Sequence, residues 1–289
     1  MLFGLYKSTL QLLRLKFSFF LMPVYWFALS QVVEVNVVNA FIVFFILHLL
    51  IYPASNGYNS YMDRDTGSIG GLEKPMQPTK QLFYFTILLD AIALLLCLFI
   101  SIYTFIAVAF YIAASRAYSN RKIRLKKYPI LGFLVTAFFQ GACVFFIVYH
   151  ASDMQKTLDI PSLPLLASSF LIGSFYPLTQ IYQHKEDAAD GVKTLSILLG
   201  LNGTFIFAAI LYFIAMNILA AYFYSTLALT NLFVFALCGL PILFYFFWWM
   251  LKVRKDKTAA NFKNTMQMNI LASICTNAGF ILILLIEKL

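Results

Sequence analysis

The sequence predicts an all-α, polytopic membrane protein of nine transmembrane helices packed in one bundle with a parallel internal repeat. Three observations predict it. Of 289 residues, 62% are hydrophobic and only 11% are charged, whereas soluble domains carry about 25% charged residues. The apolar residues gather into nine runs bounded by polar clusters, and a helix needs about 20 such residues to cross a bilayer. The basic residues, finally, crowd into alternate connections between those runs. A chain so poor in surface charge is neither a soluble enzyme nor a free nucleic-acid binder, and no nucleic-acid partner is expected. Its net charge of +9 is read from where the cations fall.

The first apolar run, 17–35, follows Lys7, Arg14 and Lys16. It is too long for a signal peptide and lacks a small-residue cleavage site, so it is a retained helix. The second run, 37–55, ends in a polar stretch. The third and fourth, 82–100 and 102–117, nearly touch and predict a tight hairpin. The fifth, 129–149, follows a strongly basic loop, and the sixth, 163–182, ends in a second acidic stretch. Runs at 203–223, 230–251 and 267–286 complete the set. Cys97, Cys143, Cys238 and Cys275 stand alone in apolar stretches without metal-ligand spacing, and read as small core residues. The whole of 1–289 reads as a single domain.

Nine spans put 19 of the 21 Lys and Arg residues on one side, leaving only Lys156 and Lys288 on the other. The positive-inside rule then gives a cytoplasmic N-terminus and an external C-terminus. The expectation is an integral, multi-pass protein of a bacterial inner membrane, with contact to anionic membrane lipids as a secondary effect of the charge.

Two cytoplasmic segments carry most of the acid. YPASNGYNSYMDRDTG (52–67) and YPLTQIYQHKEDAADG (176–191) align without a gap at an offset of 124 residues. Tyr52 meets Tyr176, Pro53 meets Pro177, Tyr58 meets Tyr182, Asp63 meets Asp187 and Gly67 meets Gly191, while Asn56 and Asn59 meet Gln180 and Gln183. This looks like a duplicated helix end, and binding sites form at the interface of such repeats. Helical residues four apart share a face, so Asn59 points with Asp63, and Gln183 with Asp187. Carboxylates converging with flanking amides are hard oxygen ligands suited to Mg²⁺, which is held by one or two carboxylates together with substrate phosphates. Asp63, Asp65, Asp187 and Asn59 are the candidate metal ligands, and Glu186 and Asp190 are candidates for an added ligand or a supporting contact, with wet-loop acidity the competing reading for those two. The alternative is ordinary wet-loop acidity, which the repeat makes hard to sustain for Asp63 and Asp187.

The loop YSNRKIRLKKYP (118–129) brings cations to the same side. Topology accounts for most of them; Arg124 and Lys126 are singled out for phosphate, one as a bidentate donor and the other as a point charge. Tyr118 and Lys193 are further candidates.

These residues resemble the UbiA superfamily of intramembrane prenyltransferases over nearly the whole chain. That family has nine transmembrane helices and two Asp-rich motifs, NDxxDxxxD after helix 2 and DxxxD after helix 6. Here the motifs read NSYMDRDTG (59–67) and QHKEDAADGVKT (183–194). Asp63, Asp187 and Asn59 stand on family positions. Ser60 and Gly67 replace the first and last acids of the first motif, Asp65 is displaced by two residues, and Gln183 replaces the first acid of the second. The resemblance implies Mg²⁺ as cofactor, a prenyl diphosphate donor and a lipophilic acceptor such as a quinone precursor. In that reading Asp63 and Asp187 are catalytic, and Asn59, Gln183, Tyr118, Arg124, Lys126 and Lys193 bind substrate. The depleted acids motivate a different class, a non-enzymatic transporter or lipid-binding protein on the same repeat.

Asp90, deep in the third run, contacts an acceptor or a neighbouring helix, or is a protonated structural acid. Gln140 reads as a packing contact, His48 and His150 as interfacial residues, and GSIGG (67–71) as the flexible start of a lid. His184 has only a remote claim to a metal or proton role.

Overall fold

A computed structural model describes residues 4–288. Among the described residues nine helices are long and apolar enough to span a membrane. They are α1 (Lys7–Gln31), α2 (Val37–Asp63), α3 (Lys80–Leu98), α4 (Ile102–Ser119), α5 (Pro129–Ser152), α6 (Ser162–Ala189), α7 (Leu195–Ser225), α8 (Leu229–Lys255) and α9 (Phe262–Lys288). Each falls on one predicted run, so the protein is an integral, multi-pass membrane protein of all-α class. The apolar surface is turned outward, as lipid requires: Phe41, Phe99, Phe110, Phe213 and Phe244 are all exposed.

The helices form a closed ring. Helix α9 packs against both α1 and α8, α7 joins α8 to α6, and α6 packs on α5; α2, α3 and α4 pack on one another, and α5 reaches both α1 and α2. Stacked rings of Phe27, Phe280 and Phe235, with centroids 4.4 Å apart in each pair, tie α1, α9 and α8 together. Lipid tails are as apolar as Leu, so close packing rather than the hydrophobic effect holds such helices. Gly141 on α5 shows it: a Cβ there would lie 2.5 Å from the Ser169 Cα of α6.

The helices are interrupted where the site forms. In α1, Arg14 adopts a left-handed conformation (φ 48°) between the α-helical turns Lys7–Leu12 and a 3₁₀ stretch, Leu15–Leu21. In α2, a π-helical stretch, Ile46–Ile51, precedes the α-helical Tyr52–Asp63. In α6, the matching segment Tyr176–Gln183 is 3₁₀ and only His184–Ala189 returns to α. Proline has no N–H to donate and its ring crowds the carbonyl four residues back. Pro53 and Pro177, paired by the repeat, meet that conflict differently: the turn before Pro53 is widened and the turns after Pro177 are tightened. The two segments thus share sequence but not local geometry. Further on, α7 kinks at Gly200 (φ 66°, ψ 176°), which separates its first turn from the span.

His48 and His150 are buried within the helix bundle. His48 is buried in the π-helical stretch among Tyr25, Phe44 and Tyr52, and His150 is buried between Ser101 Oγ at 2.8 Å and the Thr157 carbonyl at 2.9 Å.

Because helix backbone lies so close at Gly141, Gly141→Ala is expected to destabilise the fold by about 1–3 kcal/mol, the usual cost of overpacking. Thermal unfolding of the purified variant in detergent, compared with wild type, checks this; an unchanged midpoint would contradict the close contact.

Candidate active site

The end of α2, the start of α5, the end of α6, the α4–α5 loop and the break in α1 enclose a cavity of about 220 Å³. Asn59, Asp63, Asp65, Lys126, Gln183 and Asp187 line its mouth, while Tyr111, Phe139, Gln140, Tyr176, Met266 and Asn269 line its interior. It is a vessel with a charged rim and a largely aromatic floor.

Asp63 closes the last turn of α2, and its side chain is only 3% exposed. A carboxylate taken out of water needs paired and hydrogen-bonded neighbours. Asp63 has them: Lys126 Nζ at 2.5 Å and Asn59 Nδ2 at 2.8 Å both donate to Oδ2. Asn59, one helical turn earlier, also donates to Ser119 Oγ on α4 at 3.1 Å. The expected shared face of Asn59 and Asp63 is thus present, with the amide nitrogen spent on holding the carboxylate. The other oxygen, Oδ1, is buried with no hydrogen-bond partner. Arg121 caps the helix end by donating to the carbonyls of Met62 (2.5 Å) and Asp63 (3.0 Å), the helix terminus that favours a cation.

Arg124 ties the two acidic segments together. It pairs with the Asp190 carboxylate, donates to the Asp190 carbonyl at 3.2 Å, and stands 3.8 Å from Asp63 Oδ1. Asp187 lines the same cavity as Asp63, with Lys126 and Asp65 among its charged neighbours. Burial pushes the Asp65 carboxyl up to about 6; Asp63 and Glu186 add to the rise, and Lys126 and Arg14 oppose it.

The GSIGG segment is ordered. Ile69 and Leu72 exchange backbone hydrogen bonds of 2.9 Å across a tight turn in which Gly71 takes φ 81°. Arg14 donates to the Gly70 carbonyl at 3.3 Å and to the Asn56 carbonyl at 3.2 Å, and Gln183 donates to the Ser68 carbonyl at 3.2 Å. The expectation of a flexible lid is therefore corrected: the turn is pinned from both sides over the cavity.

Tyr118 shares a hydrogen bond with Tyr176 in the cavity wall. Lys193 is exposed and lies outside the residues lining the cavity. His184 is committed elsewhere, with Nε2 2.7 Å from Ser196 Oγ at the start of α7. Asp90 is an ion-pair partner: Arg116 binds its Oδ2 through Nη2 and through Nε at 3.0 Å, and lies 4.0 Å above the Tyr58 ring. Arg116 is therefore paired between α3 and α4.

Arg14, Asn269 and Met266 are among the lining residues that escaped the reading of the sequence. Arg14 reaches the cavity only because α1 breaks at that residue, and nothing in the sequence signals the break. Asn269 and Met266 come from α9. A signal for Asn269 existed, because Thr265, Asn269, Ser273 and Asn277 recur every fourth residue in an apolar helix and are all buried.

Among the described residues no three His, Cys, Asp or Glu side chains form a ready-made metal cage. The donor set nevertheless fits a divalent cation held jointly with phosphate, since hard carboxylate oxygens of Asp63, Asp65 and Asp187 line one cavity and one of them is buried without a partner.

Fold and site together define a helical membrane protein whose cavity has a charged mouth and an interior rich in aromatic side chains. The model of the UbiA prenyltransferase family matches residues 19–271, and the chain belongs to that family. No curated protein matches the sequence. Among solved structures, a UbiA homologue from Archaeoglobus fulgidus bound to GPP and Mg²⁺ superposes with a TM-score of 0.70 at 17% identity, covering 96% of this chain and 99% of its own. A digeranylgeranylglyceryl phosphate synthase gives 0.62 at 20% identity, covering 96% and 97%. A UbiA homologue from Aeropyrum pernix K1 gives 0.66 at 17% identity, covering 93% and 98%. At these identities the likeness is one of fold.

The Asp90–Arg116 pair is expected to be coupled. Arg116→Met strands a buried carboxylate and should destabilise by about 3–5 kcal/mol, whereas adding Asp90→Leu should recover most of that loss. A double-mutant cycle on thermal unfolding measures the coupling, and additive effects would refute it.

Proposed function

We propose that this chain is a Mg²⁺-dependent prenyltransferase that moves a prenyl group from a prenyl diphosphate to a lipophilic acceptor, residues 1–289 acting as one catalytic domain. The observation that carries the reading is the meeting of Asp63, Asp187 and Lys126, from three separate parts of the chain, at the mouth of a cavity with an aromatic interior. The family membership supports it, as do the fold neighbours named with GPP, DMAPP and Mg²⁺.

In this reading Asp63, Asp65 and Asp187 hold Mg²⁺, with Asn59 and Gln183 supporting them. Bound there, the ion would neutralise the diphosphate and improve it as a leaving group. Lys126 and Arg124 supply N–H donors for the diphosphate oxygens, where negative charge grows as the allylic C–O bond breaks and its electron pair leaves with the diphosphate. Tyr118 and the Tyr176 to which it is bonded fix the wall beside the reacting carbon. The π faces of Tyr111 and Phe139 lie deeper and favour the allylic cation. The acceptor forms the new bond to that carbon and gives up a proton. Gln140 and Asn269 offer polar contacts inside the cavity, which suits an acceptor with a ring hydroxyl, such as a quinone precursor. Lys193, exposed beside the second acidic segment, would act on the diphosphate only at long range.

The segregation of Lys and Arg supports a mouth facing the cytoplasm, with the N-terminus on that side and the C-terminus outside, in a membrane read as a bacterial inner membrane with anionic lipids around the rim.

Asp63→Ala and Asp187→Ala are each expected to cut Mg²⁺-dependent pyrophosphate release by at least about a hundredfold, the scale of removing an electrostatic contact to developing charge. The assay uses membranes containing the protein, geranyl diphosphate and a lipid extract, with product lipids followed by mass spectrometry. Undiminished turnover in both variants would overturn the assignment.

A further inference from the structure

Polar side-chain atoms buried without a partner are concentrated on one helix. From α2 they are both ring nitrogens of His48, the Tyr52 hydroxyl, Asn56 Nδ2, Ser60 Oγ and Asp63 Oδ1. Residues 48, 52, 56 and 60 follow one another at intervals of four, the spacing that places side chains on one helical face. Asn56 and Asp63 line the cavity. Tyr52 and His48 carry the row past its floor. The Tyr52 ring lies 6.2 Å from that of Tyr111, a lining residue, and 5.0 Å from that of His48.

His48 differs from a histidine that serves the fold. His150 has a partner on each ring nitrogen. His48 is only 1% exposed and, among the described residues, has a hydrogen bond on neither. The Ser18 carbonyl approaches the ring without closing a hydrogen bond, and the Tyr25 hydroxyl beside it is spent on the Ala40 carbonyl at 2.9 Å. The ring stands in the π-helical stretch of α2, 4.5 Å from the Phe44 ring. Leaving buried polar atoms unpaired costs stability. A neutral imidazole with both nitrogens open accepts a proton at one and releases one from the other.

From this geometry we infer that His48, acting through Tyr52 and the cavity-lining Tyr111, receives the proton that the acceptor gives up. The inference rests on the functional reading above and names the recipient of that proton. As the acceptor bonds to the prenyl carbon, its bond to hydrogen breaks and the electron pair stays on the acceptor. Each tyrosine hydroxyl takes one proton and passes on its own, so both end unchanged. The last proton reaches a His48 nitrogen, and the Phe44 ring favours the imidazolium formed there. Loss of a proton towards the mouth, along Asn56 and Ser60, restores the neutral ring. His48 and Tyr52 touch no reacting atom and are positioning residues for the proton.

The test compares His48→Phe and Tyr52→Phe with wild type, since each variant keeps an aromatic ring and loses the unpaired polar atoms. Unfolding midpoints of the full chain in detergent are expected at or above wild type, because the atoms removed have no partners to lose. Turnover is measured in membranes supplied with geranyl diphosphate and a lipid extract. Prenylated lipid is expected to fall about a hundredfold, within the range for losing a general base. Prenyl alcohol is expected to rise as a share of the pyrophosphate released, because water then captures the allylic cation. A lower midpoint in both variants would assign these atoms a structural role and overturn the inference. Prenylated lipid at the wild-type rate, or a parallel fall of lipid and pyrophosphate with an unchanged share of alcohol, would also overturn it. Wild-type behaviour of both variants beside an inactive Asp63→Ala sinks the role of His48 and spares the parent reading; no pyrophosphate release by wild type sinks both.

Discussion

A carboxylate held almost free of water at the edge of a membrane is the constraint on which this structure turns. Asp63 ends a helix, where the backbone itself presents negative charge, and it sits among other acids. Left alone it would be a buried polar group without partners. Lys126 and Asn59 hold it in place, Arg121 caps the carbonyls beneath it, and Arg124 links it to Asp190 on the facing segment. The basic loop between α4 and α5 therefore serves two ends at once. By the positive-inside rule its cations set on which side of the membrane the loop is expected. They also deliver the counter-charge that lets acids from two segments share one cavity.

The same loop explains why acids can be few. On the proposed function the cavity receives a diphosphate and so cannot be densely negative, and its carboxylates would work in company with a cation and with phosphate oxygens. Asp63 with Lys126 and Asp190 with Arg124 leave a rim of mixed sign. Below it, Tyr111, Phe139 and Tyr176 form a floor suited to an unsaturated hydrocarbon. The shape separates a charged end from a greasy end within one pocket, which is the partition that a prenyl diphosphate carries in its own structure.

Helix irregularity does the aiming. A regular α-helix through Pro53 or Pro177 would clash with the preceding turn. The chain resolves this by widening the turn before one proline and tightening the turns after the other. Gln183 and Asp187 consequently straddle a change of helix type, and Gln183 reaches the Ser68 carbonyl. Two segments of similar sequence thus take two local shapes, and the carbonyl that Gln183 of the second reaches stands beside the Gly70–Gly71 turn.

The sequence by itself determined the number of spans and the identity of the acid-bearing ends, because hydrophobic run length and charge segregation are properties that a bilayer reads directly from composition. It also determined that Asn59 supports Asp63, since i and i+4 on a helix are neighbours whatever surrounds them. Tertiary structure alone decided which cations meet which acids. Arg116 is consumed by Asp90, Lys126 by Asp63 and Arg124 by Asp190, although all three cations come from one stretch of chain. It likewise decided that Arg14 enters the cavity and that His48 is buried. Such pairings depend on where helices break and how closely backbones approach. Those are matters of packing between segments far apart in the chain, and no local pattern of residues encodes them.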